Sequence, residues 1–195
     1  DGSTDESPDI IYEYAKDHDN MDVLLLDSNG GMMNTYRLMF GMAHGEYITL
    51  CDGDDEWISK NRLQRYVDFM DRHPSVGFCT SRVLTQYNGI RTDTSLPSAE
   101  AMRRMTFDNF LVGNAQIHAQ AFFIRRSVFI KYVDFEMFAK RYSLWDYPII
   151  LTLINHTKFH QLPIYTAVFH KSDESTTMTR SRARRLKYIL GQYNI

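Results

Sequence analysis

The chain has 195 residues, of which 44% are hydrophobic and 13% aromatic, so it can bury a substantial core, and its length favours one domain with an elaboration. Its formal net charge of −2 argues against a general nucleic-acid binder, because contacts with many phosphates need a basic face. No apolar run approaches the ~18 residues of a membrane span, and no stretch resembles a signal peptide.

The charge is distributed unevenly along the chain. Residues 1–22 contain eight acidic residues and one basic residue, whereas residues 180–187 contain five basic residues and no acidic one. We therefore expect the two ends of the chain to face different surroundings. Cys51 and Cys79 lie in apolar, strand-like runs without the spacing of a zinc site, which predicts two buried thiols in a reducing compartment.

Helical and strand-like patterns alternate along the chain. In the first half the patterns predict helices at 8–18, 33–43 and 59–73, the last capped by Ser59, strands at 22–27, 46–51 and 76–87, and turns at 29–31 and 88–89. In the second half they predict strands at 119–125 and 165–170 and helices at 146–155 and 180–193. Strands separated by helices are typical of βαβ units, so we expect an α/β fold with a mixed, mainly parallel sheet flanked by helices.

Four carboxylates follow the predicted strand 46–51. They are Asp52, Asp54, Asp55 and Glu56. An α/β sheet places ligands at the carboxyl ends of its strands, and one or two carboxylates commonly bind a divalent cation that also holds phosphates. The alternative is a solvated acidic turn before the next helix, since turns are rich in Asp for local reasons.

Six short motifs occur in an order that identifies a family. They are "DGSTDES" at the start, "NGG" at 29, "AHGEYITLCDGDDEW" around the acids, "FFIRRSVF" at 122, "LWDYPI" at 144 and "FHKSDES" at 169. Together they resemble family 2 glycosyltransferases over nearly the whole chain. The resemblance implies a Rossmann-like GT-A fold, a nucleotide-sugar donor, dependence on Mg or Mn, and transfer with inversion at the anomeric carbon.

The resemblance also implies a domain organisation. Residues 1–179 correspond to the catalytic domain, and residues 180–195 to a basic amphipathic helix at its end. In relatives, the motif at residue 1 follows a strand, a helix and a second strand, so this chain is expected to lack the βαβ start of the nucleotide-binding half. A parallel sheet needs interior strands, and the predicted strand 22–27 has no companion in the sequence.

Four residues correspond to donor-binding positions of the family. The resemblance places Asp1 against the nucleotide base, where its carboxylate accepts from the uracil imide. It places Asp52 beside the ribose and the metal, and Asp54 on the cation that bridges the diphosphate. His170 corresponds to a histidine that often meets the metal or the diphosphate, although a lone histidine after a strand is more often a packing or surface residue.

Other positions keep two interpretations. The family usually has Arg-Asn where this chain has Tyr36-Arg37, and a shift of one position turns a helical side chain by about 100°. Arg37 is therefore either a phosphate ligand or a surface arginine. His118 and Gln120 lie in a segment that approaches the donor sugar and the acceptor in relatives, and their alternative role is packing.

Asp146 is the predicted general base. An inverting transfer needs one group to take the proton of the acceptor hydroxyl, and an ionised carboxylate suits that role. Because Asp146 stands at a predicted helix start, with Pro148 in the first turn, its alternative role is a helix N-cap. The preceding Trp145 is expected either to stack on a sugar or to fill the core.

The predicted function is transfer of a sugar from a nucleotide-sugar, with UDP as the expected nucleotide, to a glycan or lipid-linked acceptor. Two alternatives remain at this point, a nucleotidyltransferase that makes sugar nucleotides and a non-catalytic domain that binds nucleotide or glycan. The expected location is the cytoplasm. Residues 180–193 combine basic residues with one apolar face, which suits either the anionic inner surface of a membrane or packing on the domain itself.

Overall fold

The computed structural model describes residues 1–95, 97–112, 117–141 and 145–171. These residues form a mixed α/β structure in which one six-stranded sheet is flanked by helices, which confirms the predicted class. The predicted helix at 180–193 lies outside the described residues. No helix in the described ranges is long and apolar enough to cross a membrane.

Six strands form the sheet in the order β1-β5-β3-β6-β2, and β4 also pairs with β3. The strands are β1 (Tyr47–Thr49), β2 (Glu56–Trp57), β3 (Val76–Tyr87), β4 (Ile90–Asp93), β5 (Phe123–Arg125) and β6 (Lys158–Lys171). The long strands β3 and β6 are central neighbours, and the short strands pair with them or continue the sheet outward. Because the acidic residues lie between β1 and β2, the loop that carries them runs between two strands of the same sheet.

The directions of pairing differ from the predicted, mainly parallel sheet. The longest pairing, β3 with β6, is parallel and runs from Val76 opposite Lys158 to Tyr87 opposite Lys171. The pairings β1–β5, β2–β6, β3–β4 and β3–β5 are antiparallel. A parallel connection needs a crossover of a dozen or more residues, and the short turn between the paired strands β3 and β4 leaves no room for one.

Helices cover the sheet and line its edges. The helices are α1 (Ser7–Ala15), α2 (Met32–Met42), α3 (Arg62–Arg72), α4 (Ser98–Arg104), α5 (Phe107–Leu111), α6 (Arg126–Tyr132), α7 (Phe135–Arg141) and α8 (Asp146–His156), with a 3₁₀ turn at Ala119–Ala121. The Ser59 cap is wrong, because the residue before α3 is Asn61 and no side chain caps the helix. Ser59 contributes its carbonyl oxygen, which accepts from the Arg62 N–H at 3.1 Å.

The run 22–27 is not a strand, contrary to the sequence prediction. Its backbone joins no ladder with the strands of the described residues, and Leu24 and Leu25 are exposed. The Leu26 carbonyl accepts from the Gly2 N–H at 3.0 Å, which is a single contact and not a strand pairing. An apolar run becomes a strand only where neighbouring strands form hydrogen bonds with its backbone. The apolar composition of residues 22–27 was therefore not sufficient to predict a strand.

Two large apolar clusters pack against the sheet, beside a small third one of Val83, Ala121 and Ala167. The larger joins Phe78, Phe122 and Ile124 to α6 and α8, and the smaller joins Tyr66 and Met70 of α3 to the sheet. Cys79 belongs to the smaller cluster, and burial raises the pKa of its thiol to about 12. Cys51 is exposed, so the prediction of two buried thiols holds for Cys79 alone.

Arg62 is a buried cation that links the sheet to the base of the acidic loop. Its side chain is 1% exposed, and its guanidinium donates to the hydroxyls of Thr49 (2.9 Å) and Thr166 (3.2 Å). The guanidinium carbon also lies 4.3 Å from the ring centroid of Trp57, which ends β2. Among the described residues no carboxylate forms a salt bridge with Arg62, and burial lowers the pKa of its guanidinium.

We expect Arg62→Ala to destabilise the protein by about 2–4 kcal/mol, because it opens a cavity and removes the guanidinium that donates to the buried Thr166 hydroxyl and the half-buried Thr49 hydroxyl. Urea unfolding at neutral pH measures the change. Arg65→Ala is the matched control, since Arg65 is exposed on the same helix and its loss should cost no more than about 0.5 kcal/mol. Equal effects of the two substitutions would contradict the role assigned to Arg62.

Candidate active site

The acidic loop occupies residues 50–55, between β1 and β2. Its turn is closed by the Asp55 N–H, which donates to the Asp52 carbonyl oxygen at 3.1 Å. Asp52 is half-buried and Asp54 is exposed. The loop thus holds one carboxylate against the protein and presents another to solvent.

Tyr36 connects helix α2 to this loop. Its hydroxyl donates a hydrogen bond to Oδ1 of Asp52. Burial, this hydrogen bond and the negative charges of Asp52, Asp146 and Asp54 raise the pKa of Tyr36, with burial the largest cause. The phenol therefore stays protonated and neutral at physiological pH, and three carboxylates from two distant parts of the sequence converge around it.

Asp146 is the first residue of helix α8, and the cap position is occupied by Trp145, so the predicted N-cap role does not apply. Its Oδ1 accepts from the Tyr147 N–H at 2.9 Å. Burial raises the pKa of Asp146, and the charge of Asp52 raises it further, while hydrogen bonds with backbone N–H groups oppose the shift. A carboxylate made more basic in this way is a better proton acceptor than an exposed one.

Trp145 fills the core. It is 5% exposed, its ring centroid lies 4.3 Å from that of Tyr36, and it also packs against Phe40 and Phe122. Of the two roles considered for this side chain, the structure shows packing. The packing fixes the start of α8, and therefore Asp146, against helix α2.

Asp55 and Gln120 attach the acidic loop to the sheet. Oδ1 of Asp55 accepts from the His170 N–H at 3.1 Å, and the Gln120 side chain also donates to this carboxylate. Burial raises the pKa of Asp55, and its two hydrogen bonds lower it. Gln120 is 5% exposed, and its Oε1 has no partner among the described residues. In this structure, both residues help to hold the acidic loop against the sheet.

The imidazole of His170 contacts Glu56 and Gln86, and it forms no metal-binding group with Asp52 and Asp54 in the described part of the chain. Its Nε2 lies 3.6 Å from a carboxylate oxygen of Glu56, and its Nδ1 lies 3.4 Å from Nε2 of Gln86. The backbone of His170, not its ring, contacts the acidic loop. The structure therefore does not bring His170 together with the two predicted metal-binding carboxylates.

Arg37 is directed at helix α7. Its guanidinium donates to Glu136 at 2.9 Å and to Asn34 at 3.0 Å. The neighbouring Tyr36, rather than Arg37, faces the acidic loop. Tyr36 was not predicted as a site residue, although its signal was present in the Tyr36-Arg37 pair that replaces the usual Arg-Asn of the family.

His118 is a neutral histidine beside β6. Burial lowers its pKa to about 4, so the ring is uncharged at physiological pH. Its centroid lies 5.7 Å from that of Phe169. Part of the predicted sugar-facing segment, residues 113–116, lies outside the described residues.

Asp1 is fixed on the turn at residues 29–31. Its carboxylate oxygens accept from the N–H groups of Gly30 (2.7 Å) and Gly31 (3.1 Å). Gly2 makes this approach feasible, because a Cβ there would lie 2.4 Å from the Asn29 nitrogen and its φ is +66°. Asp1 is exposed, so its remaining lone pairs face solvent, where a nucleotide base can reach them.

The profile of one family, "Glycosyl transferase family 2", matches residues 1–133. The chain belongs to glycosyl transferase family 2. The match covers α1, α2, the acidic loop and Tyr36, and ends before α8.

Two relatives of this family 2 member illustrate its similarity to curated proteins. An uncharacterized protein of Mycobacterium tuberculosis is 33% identical over 115 residues, which is 58% of this chain and 33% of that protein. The putative teichuronic acid biosynthesis glycosyltransferase TuaG of Bacillus subtilis is 28% identical over 111 residues, or 57% of this chain and 42% of TuaG. The matched part thus spans a third to two fifths of these relatives.

Solved structures share the GT-A fold. S. aureus TarS 1–349 in complex with UDP-GlcNAc superposes with a TM-score of 0.62 at 17% identity, covering 92% of this chain and 50% of that one. The complex of the same protein with UDP gives 0.63 at 20% identity, covering 88% and 49%. This likeness confirms the predicted fold of the family 2 member.

The donor set fits a divalent cation only in part. In the described ranges no group of three or more His, Cys, Asp or Glu side chains is placed to hold a metal by itself. Mg²⁺ is commonly held by one or two carboxylates together with substrate phosphates. Asp52 and Asp54 can supply the carboxylates of such a set. The two carboxylates therefore fit a cation shared with a diphosphate, and the His170 ring does not join them.

Proposed function

We propose that this chain carries the active site of a metal-dependent, inverting glycosyltransferase. The donor is a nucleotide-sugar, with UDP as the nucleotide, and the acceptor is a hydroxyl of a glycan or a lipid-linked sugar. The observation that carries the proposal is the convergence of Asp52, Asp54 and Asp146 around Tyr36. Two of these carboxylates can serve the donor, and the third is more basic. A family 2 chain with these three groups has the side chains that the reaction requires.

Each carboxylate has a defined task in this reaction. Asp146 accepts the proton of the acceptor hydroxyl while the hydroxyl oxygen bonds to the anomeric carbon from the face opposite the diphosphate. The bond between that carbon and the diphosphate oxygen breaks, so the configuration inverts and the nucleoside diphosphate leaves. Asp52 and Asp54 would hold a Mg or Mn ion, which would supply positive charge to offset that of the leaving diphosphate.

Two residues support nucleotide binding in the proposal. Asp1 offers a carboxylate to the base, at the turn where it is already fixed by Gly30 and Gly31. The complexes of S. aureus TarS with UDP and with UDP-GlcNAc support a uridine nucleotide, because they belong to proteins of the same fold. We assign only an indirect role in nucleotide binding to four other residues, because their contacts are with other parts of the protein. These residues are Arg37, His118, Gln120 and His170.

The proposed location is the cytoplasm, with residues 180–193 as a contact to the anionic inner surface of a membrane. The support comes from the sequence, in which basic residues precede one apolar face. A lipid-linked acceptor would be consistent with such a contact.

Calorimetric titration of the intact protein with UDP tests the donor and the cation together. We expect UDP to bind more tightly with Mn²⁺ present than with EDTA, and more tightly than CDP or GDP. Equal affinity in the two conditions contradicts the metal role. Release of pyrophosphate from a nucleoside triphosphate and a sugar phosphate would instead identify a nucleotidyltransferase, and binding without turnover of any UDP-sugar would identify a non-catalytic domain.

A further inference from the structure

Tyr36 contacts both halves of the proposed site, the acidic loop and the start of helix α8. Its hydroxyl donates to Asp52 on the donor side. Its ring packs on Trp145 with centroids 4.3 Å apart and planes inclined by 31°, and Trp145 directly precedes Asp146. A single residue of α2 therefore connects the acidic loop to the start of helix α8.

The aromatic neighbours of Tyr36 hold its ring in place. Phe40, one turn along α2, lies 6.0 Å from it, and Phe40 in turn packs on Phe129 (4.7 Å) and Phe135 (5.0 Å). Tyr36 is half-buried and joins the larger apolar cluster through these contacts. The ring has little freedom to swing, so the hydroxyl is presented at a fixed point.

Asp52 depends on that hydroxyl for its orientation. In the described part of the chain, the Tyr36 hydroxyl donates to the Asp52 carboxylate, and Asp54 and Asp55 of the same loop are carboxylates of the same charge. Without a donor, repulsion from Asp54 and Asp55 would favour rotation of Asp52 toward solvent. Carboxylates that bind metals are commonly oriented by such hydrogen bonds.

We propose that Tyr36 is a positioning residue, which orients Asp52 for the donor-bound cation and sets the location of Asp146 relative to it through Trp145. The inference rests on the proposed glycosyl transfer. Tyr36 itself does not touch the reacting atoms and transfers no proton. Its hydroxyl acts on the donor side, and its ring acts on the acceptor side.

Tyr36→Phe separates the two contributions, because it keeps the ring and removes the hydroxyl. In the intact protein we expect the affinity for UDP with Mn²⁺ to fall by about tenfold or more, as for other residues that orient metal ligands. The melting temperature should change no more than in Tyr47→Phe. That variant is the matched control, since the Tyr47 hydroxyl also donates to a carboxylate, Asp71, but at the opposite end of β1.

A double-mutant cycle with Asp52→Ala, which removes the acceptor of the Tyr36 hydroxyl, tests whether Tyr36 acts through Asp52. If it does, Tyr36→Phe has little further effect on UDP affinity once Asp52 is replaced. An equal loss of affinity in both backgrounds, or no loss in the wild-type background, overturns the proposal. Tyr36→Leu, which removes the ring as well, should in addition lower the turnover number at saturating donor.

Crystal structures of wild-type protein and Tyr36→Phe keep this inference separate from the proposed function. We expect the Asp52 carboxylate to turn away from α2 in the variant. If wild-type protein binds no UDP, the proposed transfer from a UDP-sugar is refuted, while an unmoved Asp52 in Tyr36→Phe refutes the positioning role whatever the ligand.

Discussion

Asp146→Asn is expected to lower the rate of sugar transfer by about 10²-fold or more, because it replaces the proposed base with a group that cannot accept the proton. Affinity for UDP should persist, since the nucleotide and the cation are assigned to Asp1, Asp52 and Asp54. The asparagine oxygen can still accept from the Tyr147 N–H, as Asp146 does at 2.9 Å. Single-turnover kinetics at saturating donor measure the change.

The pH dependence of the transfer rate provides a second test of Asp146. Burial and the charge of Asp52 raise the pKa of Asp146, so its active, ionised form appears at a higher pH than for an ordinary carboxyl group. Transfer should therefore fall as the pH drops through this raised pKa. Stability depends on pH in the opposite sense. Ionisation of a group whose pKa is raised in the folded state opposes folding. This unfavourable contribution to the free energy of unfolding grows as the pH rises from the ordinary pKa of a carboxyl group through the raised pKa of Asp146.

Asp146→Asn removes that unfavourable contribution, so its free energy of unfolding at neutral pH should fall by no more than about 1 kcal/mol. Asp134→Asn is the control for loss of a carboxylate at a helix start, since Asp134 accepts from the Met137 N–H at 2.9 Å beside α7. It should leave transfer unchanged. A rate for Asp146→Asn that matches this control would remove Asp146 from the mechanism.

Asp54→Ala is expected to abolish the gain in UDP affinity that Mn²⁺ provides. Asp54 is exposed, so its removal should change the free energy of unfolding by no more than about 0.5 kcal/mol. Calorimetry with Mn²⁺ and with EDTA measures the gain directly. Asp19→Ala, an exposed acid outside the loop, controls for the general loss of negative charge, and an Mn²⁺-dependent gain that survives in Asp54→Ala would exclude Asp54 as a ligand.

The sequence predicted those parts of the fold whose signals are local. Strand β3 was predicted with its observed bounds, because an apolar run there is bounded by Pro74 and by the Asn88-Gly89 turn, whose two residues both have positive φ. Helix α8 was predicted from its start at Asp146. The run 22–27 failed because strand formation depends on neighbouring strands, and the pairing directions failed because they depend on how short connections are routed.

The candidate site could be predicted from the sequence only where the type of a residue indicates its chemical role. The acidic loop and Asp146 were predicted as candidates because carboxylates that follow a strand or stand at a helix start can be recognised in a sequence. Tyr36 was missed, since its importance lies in a hydroxyl and a ring that meet Asp52 and Trp145 only after folding. Arg62 was missed for a similar reason, because a basic residue in an amphipathic helix gives no sign that it is buried.

The contrast between the two thiols makes the acidic loop accessible to a spectroscopic label. The chain contains two cysteines, and of these Cys51 is exposed while Cys79 is buried. Burial and the nearby aspartates raise the pKa of Cys51 despite the opposing effect of Arg62, so a maleimide reacts with it efficiently only in mildly alkaline buffer. A fluorophore attached there sits one residue from Asp52, where its emission follows movements of the loop without any engineered cysteine.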